Sequence, residues 1–162
     1  MIRFIVAIDD KNGLADDHGI PWPKPPSDLR LFRDSTKHTI VMMGYKTYQE
    51  FDHPLSDRRN LVATHTAGPL QAGFEAVNDV RKFLQRSTED IWVIGGAGLF
   101  ATTLDLADEL LITYIKGDYN CTKFFPDYKD IFELAAKTET QTEKGVEFYF
   151  TTWKRKSLPK QR

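Results

Sequence analysis

The chain has 162 residues, of which 41% are hydrophobic and 28% are charged, as in an ordinary globular protein of one domain. Its 22 Lys and Arg residues against 23 Asp and Glu residues give a net charge of −1. This balance argues against proteins that bind nucleic acid or membrane surfaces through a strong basic field. Cys121 is the only cysteine, which excludes an internal disulfide and fits a reducing compartment. Its apolar runs are far shorter than the ~18 residues of a membrane span, so we expect a cytoplasmic protein.

In chain order, the sequence alternates short apolar runs with amphipathic segments. The apolar runs predict strands at residues 2–8, 39–43, 60–63, 74–77, 91–94, 110–115, 132–139 and 146–153. A stretch at 20–26 holds four of the eight prolines and predicts a rigid loop, because proline fixes φ and lacks a backbone donor. The last two strands, with Gly145 in the polar turn between them, have the pattern of an antiparallel hairpin.

Four helices are predicted between these strands, ending near Thr36, Phe51, Leu84 and Leu104. Ser27 and Asn78 are the expected N-caps of the first and third helices, and Gly44 opens the second. Strand–helix alternation followed by a hairpin predicts an α/β fold. We therefore expect a single domain over residues 1–162, with a central mixed, mostly parallel sheet of about eight strands, an antiparallel C-terminal hairpin and about four flanking helices.

The strand at 91–94 runs into a glycine-rich turn and then a helix. Gly96, Gly98 and Ala101 match the dinucleotide-binding pattern G-x-G-x-x-G/A, and Asp118 follows at the distance of a ribose-binding acid. Too little chain remains after this point for a complete Rossmann fold. The pattern favours a phosphate or dinucleotide contact, and the alternative is a tight turn that requires small residues.

Two other positions each allow two interpretations. Lys46 and Thr47 follow Gly44 at a helix start, where they serve either as phosphate contacts or as a solvated first turn, since the P-loop pattern itself is absent. Asp28 lies near the start of an amphipathic helix. It either stabilises the helix dipole or faces an apolar cleft, where desolvation would raise its pKa.

The other polar residues point to no further chemistry. The four histidines lack the spacing of metal ligands, so no metal is expected. Cys121 is interpreted as an inert thiol, since no pattern of a covalent nucleophile is present. A basic C-terminal group is interpreted as a frayed, solvated end, and no other feature supports a weak role in nucleic-acid binding. This group comprises Lys154, Arg155, Lys156, Lys160 and Arg162.

Several motifs, in their order and spacing, together resemble the dihydrofolate reductase family over essentially the whole chain. They are Ile20-Pro21-Trp22, Asp28-Leu29 with Phe32, Met43-Gly44-x-Lys46-Thr47-Tyr48, Pro54-Leu55, Arg58-Arg59-Asn60, Val93-Ile94-Gly95-Gly96, Leu111-Ile112-Thr113 and Phe125-Pro126-Asp127-Tyr128. The resemblance implies NADPH-dependent hydride transfer to C6 of 7,8-dihydrofolate with protonation of N5, which gives tetrahydrofolate for one-carbon metabolism. It also implies inhibition by folate analogues and a monomeric, cytoplasmic enzyme.

The resemblance also assigns a substrate site. Asp28 matches the carboxylate that binds the pterin and promotes its protonation, with Thr113 supporting it and Trp22 holding a water, so these three are the expected catalytic residues. Arg58 matches the arginine that pairs with the glutamate carboxylate of the substrate. The other expected substrate contacts are the backbone carbonyls of Ile5 and Ile94 and the walls formed by Leu29, Phe32, Phe51 and Leu55.

For the cofactor, the resemblance implies an adenosine-binding lobe at roughly 39–88, a cis peptide bond between Gly95 and Gly96, and a mobile lid from Asp9 to Gly19. The expected cofactor contacts are Ala7, Leu14, Gly44, Lys46, Thr47, Thr64, His65, Gly95, Gly96, Ala97, Gly98, Leu99, Phe100 and Thr102.

This sequence departs from the family pattern at four places, one of which is an extra residue within 22–27 that reshapes the loop before Asp28. Tyr45 stands where an arginine often binds the 2′-phosphate of NADPH, and Lys46 or His65 are the residues that would compensate. Ala15 replaces a common lid glycine, and Phe100 replaces a tyrosine near the nicotinamide. Two alternatives stay open: a related pterin or riboflavin-pathway reductase of the same fold, and a non-catalytic NADPH-binding paralogue.

Overall fold

The computed structural model describes residues 1–65 and 68–157. Its strands are β1 (Ile2–Ile8), β2 (Gly13–Ala15), β3 (Ile40–Gly44), β4 (Arg59–Ala63), β5 (Phe74–Val77), β6 (Ile91–Gly95), β7 (Glu109–Ile115), β8 (Lys123–Phe124), β9 (Phe132–Lys137), β10 (Gln141–Glu143) and β11 (Val146–Arg155). Its helices are α1 (Pro26–Thr36), α2 (Tyr45–Gln49), α3 (Val80–Arg86) and α4 (Ala97–Thr103), the last continued by a 3₁₀ turn at Leu104–Leu106. Within the described ranges, no helix has the length and apolar character that crossing a membrane requires.

Nine strands form one mixed sheet, and eight of them lie in the order β10-β11-β7-β1-β6-β3-β4-β5. The pairs from β7 to β5 are parallel, whereas β11 runs antiparallel to β7. The ninth strand, β9, pairs with β11, and β2 and β8 form a separate two-stranded sheet. The predicted α/β class, the mostly parallel sheet and the antiparallel C-terminal edge are confirmed.

Each central strand is apolar on both faces, so helices must cover both sides of the sheet. Because successive side chains alternate between faces, Met42 packs in one core with Leu84 of α3 and Phe100 of α4. Its neighbour Met43 packs on the opposite face with Tyr48 of α2, beside Phe32 of α1. Helices α1 and α2 therefore cover one face, and α3 and α4 cover the other.

The strands β1 and β6 separate towards their carboxyl ends. Pairing between them stops at Phe4 and Val93, whereas β1 stays paired with β7 as far as Ile8. On the other side of β6, the register with β3 shifts by one residue and passes over Ile94. The connections that leave β1 and β6 lead to helices on opposite faces. This arrangement is the topological switch point at which open α/β sheets bind ligands.

Both predicted N-caps are wrong. Helix α1 is capped by Pro25, and Ser27 lies inside the helix, where its backbone N–H and its hydroxyl both donate to Glu143. A proline pair places the helix start earlier because proline suits the first helical position. In α3 the cap is Asp79, whose carboxylate accepts the N–H of Lys82 at 3.1 Å, and Asn78 precedes the cap.

The C-terminal prediction needs two corrections. The strand predicted at 132–139 ends at Lys137, and the polar segment after it holds an additional strand, β10, before the turn at Gly145. Arg155 is not part of a frayed end: its guanidinium donates to the carbonyl of Ala107 and stacks on Phe132 with 5.3 Å between the guanidinium carbon and the ring centroid. Lys160 and Arg162 lie outside the described residues.

The corrected cap of α3 gives a matched pair of variants. We expect Asp79→Ala to lower the free energy of unfolding by about 1 kcal/mol, because it leaves the N–H of Lys82 without its acceptor. Asn78→Ala is the control and should change that free energy by less than about 0.5 kcal/mol. Urea unfolding of both variants measures this, and a larger loss for Asn78→Ala would show that the cap is misassigned.

Candidate active site

The predicted pair Asp28 and Thr113 meets in the structure. Asp28 is the third residue of α1, and the proline-rich loop before it directs the helix start towards β7. The Thr113 hydroxyl donates to Oδ1 of Asp28 at 2.7 Å across 85 residues of sequence. Thr113 itself is buried and lies beside Ala7 in the β1–β7 register. A carboxylate and its hydroxyl donor thus lie beside the separation between β1 and β6.

The environment of Asp28 favours its protonated form. Burial raises the pKa of Asp28 above its ordinary value, and the charge of Glu143 raises it further. The hydrogen bond from Thr113 and the charge of Lys24 lower this pKa but do not cancel the effect of burial. A carboxyl group held in this way is suited to exchanging protons or hydrogen bonds with a polar ring.

Trp22 fixes the loop that precedes Asp28. Its side chain is 3% exposed and packs in a small core with Ile115, Val146 and Phe148. The ring of Tyr119 meets it edge to face, with 5.4 Å between ring centroids. This anchoring gives the proline loop a defined position relative to β7 and β11.

Apolar side chains surround the same region. Leu29 is 50% exposed on α1, which leaves an unusually accessible leucine next to Asp28. The three other predicted wall residues, Phe32, Phe51 and Leu55, are partly buried and pack against one core that also contains Ile5. The side chain of Ile94, predicted as a backbone contact, packs against the same core. Ile5 and Ile94 lie where β1 and β6 have separated, and the register shift at Ile94 alters the direction of its backbone.

Arg58 is held in a fixed position at the C-terminal end of α1. Its Nη1 donates to the hydroxyl of Thr36, at the end of α1, at 2.9 Å, and its Nε donates to the carbonyl of Ser56 at 2.9 Å. The buried amide of Asn60 accepts the N–H of Leu55 and donates to the carbonyls of Leu55 and Arg58. Burial lowers the pKa of Arg58, which marks a partly desolvated cation. Asn60 belongs to the Arg58-Arg59-Asn60 motif, but the sequence alone did not predict this role for it.

Glycines lie where the carboxyl ends of β3 and β6 meet. A Cβ built on Gly44 would lie 3.7 Å from the carbonyl oxygen of Gly95, and one built on Gly96 would lie 3.4 Å from Oγ1 of Thr47, which are ordinary contacts. Gly95 has φ of +141°, a value that strains any residue with a side chain. The peptide bond between Gly95 and Gly96 is cis, as the family resemblance implies.

The remaining predicted cofactor residues fall into three groups. Gly98, Lys46 and His65 are exposed near this edge, whereas Ala7, Leu14 and Ala97 are partly buried. Thr64 is buried, and its N–H donates to Val77. Leu99 and Phe100 are buried, and Phe100 is a core residue between Phe4 and Phe125, 5.1 Å from each ring centroid. The hydroxyl of Thr102 bonds back to the carbonyl of Gly98 at 3.0 Å.

Asp9, predicted from the sequence only as the first residue of the lid, holds the 9–19 segment in place through its carboxylate. Its carboxylate is 2% exposed and accepts the N–H groups of Lys11, Gly13 and Tyr119 at 2.8 to 3.0 Å. Gly13 lies so close to Cys121 that a Cβ there would be 2.4 Å from the Cys121 Cβ. Burial and the charge of Asp9 raise the pKa of the Cys121 thiol to about 11, so the thiol stays protonated.

Two open clefts lie at the other edge of the sheet, where β3, β4 and β6 begin. Their volumes are about 630 and 820 Å³, charged residues line both, and Arg59, Thr88 and Glu89 are common to the two. They contain neither Asp28 nor the glycine turn, and Arg58 borders the second. In the described part of the chain, no group of three or more His, Cys, Asp or Glu side chains is placed to hold a metal ion.

Comparison with known proteins extends these observations. The family described as dihydrofolate reductase matches residues 1–155. The type 3 dihydrofolate reductase of Salmonella typhimurium is 35% identical over 149 residues, which cover 90% of this chain and 91% of that protein. The dihydrofolate reductase of Bacillus subtilis (strain 168) is 29% identical over 165 aligned residues, which cover 99% of this chain and 98% of that protein.

A solved structure supports the fold. The dihydrofolate reductase from Enterococcus faecalis, complexed with NADP(H) and RAB-propyl, superposes with a TM-score of 0.87 over 97% of both chains at 22% identity. The family match over nearly the whole chain also confirms the reaction and the cofactor class that the motifs imply. The chain belongs to the dihydrofolate reductase family, whose members reduce dihydrofolate with NADPH.

Proposed function

We propose that the described site reduces 7,8-dihydrofolate to tetrahydrofolate with Asp28, Thr113 and Trp22 as its catalytic residues. The observation that carries this assignment is the hydrogen bond from Thr113 to a desolvated carboxylate beside the β1–β6 separation. Asp28 is an acidic group with an apolar wall and a fixed partner, which is what binding a proton-rich ring requires. Trp22, anchored in its core, positions the loop in which a water would be held.

In this proposal, Asp28 accepts hydrogen bonds from the 2-amino group and ring N3 of the pterin. The Thr113 hydroxyl occupies one oxygen of the carboxylate, which leaves the other oriented towards the ring. The backbone carbonyls of Ile5 and Ile94 accept from the amino groups of the pterin. Leu29, Phe32, Phe51 and Leu55 contact the aromatic parts of the substrate and exclude water, so the protonation of N5 takes place in a medium of low dielectric constant.

Arg58 binds the carboxylate of the glutamate in the substrate. Thr36 and Ser56 each hold one nitrogen of the guanidinium, so its plane is set before the substrate arrives. Burial makes an unpaired cation unfavourable there, as the lowered pKa of Arg58 shows, and a carboxylate relieves that cost. Folate-analogue inhibitors that keep this carboxylate would use the same contact.

The glycine edge has the shape that a dinucleotide needs. A Cβ at Gly95 or Gly96 would lie 3.5 or 3.4 Å from Oγ1 of Thr47, and Gly98 leaves an open surface at the start of α4. NADPH bound there supplies the hydride. Lys46 and His65 follow the paired residues Gly44 and Ala63, so they share one edge of the sheet. The Lys46 ammonium group and the His65 ring are the groups that contact the 2′-phosphate in place of an arginine at Tyr45. The adenosine-binding lobe at 39–88 contains both.

The remaining assignments rest on the chain as a whole. Asp28 and Arg58 together favour folate over a riboflavin-pathway substrate, which has no glutamate carboxylate. The presence of Asp28 and Trp22 argues against a non-catalytic paralogue. The net charge of −1 supports the absence of a nucleic-acid partner. We also propose a monomeric cytoplasmic enzyme whose 9–19 segment acts as a lid, with Asp9 fixing its base.

Asp28→Asn tests the role of the carboxylate. We expect turnover at neutral pH to fall on the order of 10²-fold, because the neutral amide cannot promote protonation of the pterin. The raised pKa of Asp28 means that its ionised form destabilises the fold above that pKa, so the variant should unfold at a higher temperature at neutral pH. This stability difference should disappear at a pH below the ordinary pKa of an aspartic acid, where the carboxyl is protonated in both the folded and the unfolded chain. Unchanged turnover would refute the mechanism.

Arg58→Lys tests the contact with the substrate carboxylate, and its neighbour provides the control. The KM for dihydrofolate should rise about 10-fold or more, because lysine lacks the planar pair of donors, while kcat changes little. Arg59→Lys should leave KM unchanged, since Arg59 is exposed and already paired with Glu75 at 2.8 and 2.9 Å. Equal effects of both changes on steady-state kinetics would contradict the assignment.

The choice of cofactor is tested with Lys46→Met. Loss of nicotinamide absorbance with dihydrofolate, measured with NADPH and NADH in parallel and with methotrexate as the inhibitor, should show a preference for NADPH in the unchanged enzyme. In the variant, kcat/KM with NADPH should fall about 10-fold while kcat/KM with NADH stays constant, because only NADPH carries the 2′-phosphate. Equal losses with both cofactors would place Lys46 away from that phosphate.

A further inference from the structure

A second carboxylate, Glu143, lies next to the catalytic one and belongs to a distant part of the chain. Its Oε1 accepts the backbone N–H of Ser27 at 2.8 Å, and its Oε2 accepts the Ser27 hydroxyl at 2.5 Å, across 116 residues of sequence. Ser27 directly precedes Asp28. Both oxygens of Glu143 are thus engaged with the residue adjacent to the acid that the proposed mechanism uses.

This contact compensates for a missing helix cap. Pro25, the N-cap of α1, has no side-chain oxygen, and α1 has no side-chain cap hydrogen bond of its own. The N–H groups of a first helical turn need acceptors, and a carboxylate there also interacts favourably with the helix dipole. Glu143 supplies both from β10, so the first turn of α1 is tied to the C-terminal edge of the sheet.

Asp28 is consequently held from two strands. Thr113 on β7 donates to its carboxylate, and Glu143 on β10 holds the residue before it. Both β7 and β10 pair with β11, which keeps the distance between these two contacts fixed. Displacement of β10 would therefore move the first turn of α1 relative to Thr113.

Glu143 also brings charge close to Asp28. The two hydrogen bonds from Ser27, with a smaller contribution from Arg30, lower the pKa of Glu143, so it is ionised at neutral pH. The groups that act on Asp28 are Thr113 on β7, Glu143 on β10 and Lys24 in the proline loop. Of these, Glu143 is the negative charge, and it opposes ionisation of Asp28.

We infer that Glu143 is a positioning residue of this enzyme, which fixes the first turn of α1 through Ser27 and sets the pH range in which Asp28 changes protonation state. The inference rests on the role proposed for Asp28. The negative charge of Glu143 extends the protonated state of the site to higher pH, which keeps the proton-dependent step active over a wider range.

Glu143→Gln separates charge from geometry. The amide keeps an acceptor for the Ser27 N–H and a donor for the Ser27 hydroxyl, but it carries no charge. In single-turnover measurements of nicotinamide absorbance, the midpoint of the pH–rate profile should move to lower pH by roughly 0.3 to 0.5 unit at low salt. The shift should shrink at high salt, because ions screen the interaction between partly exposed charges.

Two control variants define the outcomes. Glu147→Gln removes the same charge from β11, where Glu147 contacts Lys116 at 4.0 Å on the surface, and it should leave the midpoint in place. Ser27→Ala removes the hydroxyl contact but keeps the charge of Glu143. It should lower the thermal stability of the enzyme without moving the midpoint. A Glu143→Gln profile that coincides with that of the unchanged enzyme overturns the inference, as does an equal shift in Glu147→Gln.

Asp28→Asn separates a failure of the role proposed for Asp28 from a failure of the inference about Glu143. If this variant keeps the original pH–rate profile, the role proposed for Asp28 fails, and the inference about Glu143 fails with it. If Asp28→Asn loses the profile while Glu143→Gln preserves it, the proposed function stands and only the inference about Glu143 is wrong.

Discussion

The central constraint in this protein is that its middle strands are apolar on both faces. A parallel strand of this kind is stable only if helices cover both sides of the sheet, so the connections must leave in opposite directions. That requirement separates the carboxyl ends of β1 and β6. The separation then brings Asp28, the Gly95–Gly96 turn and the backbone of Ile94 to one place, although nothing in their local sequence relates them.

The site that results carries an electrostatic cost. Burial of Asp28 disfavours its ionised form, and Thr113 offsets only part of that cost through one hydrogen bond. A protein selected only for stability would place a neutral or apolar residue here. A carboxylate in an apolar cleft lowers the stability of the fold but serves the reaction, as is common in active sites.

Neighbouring residues of the same type acquire different roles through tertiary contacts. Arg58 points to Thr36, and burial lowers its pKa, whereas Arg59 forms an exposed pair with Glu75 that raises its own. An exposed ion pair of this kind contributes little to stability. Within the described ranges no carboxylate forms an ion pair with the partly desolvated guanidinium of Arg58, which is therefore suited to binding an anion. The buried amide of Asn60 holds the backbone of this loop at Leu55 and at the carbonyl of Arg58.

The sequence by itself determined the α/β class, the order of the main strands and helices, and, through its motifs, the family and the residues expected at the site. These features depend on local periodicity and on residue types, which are readable along one chain. It misplaced the cap at Asn78, because Asn78 and Asp79 satisfy the same local rule and only the backbone selects one. It misplaced the cap at Ser27, because the actual cap, Pro25, has no side-chain acceptor that the rule could recognise. The short strands β2, β8 and β10 were also missed, since they are stabilised by partners elsewhere in the chain rather than by their own apolar pattern. Only the tertiary structure decided that Asp9 joins two loops, that Phe100 is a core residue and that Glu143 lies beside Asp28. Each of these depends on contacts between segments far apart in sequence, and burial and charge at such contacts have no local signature.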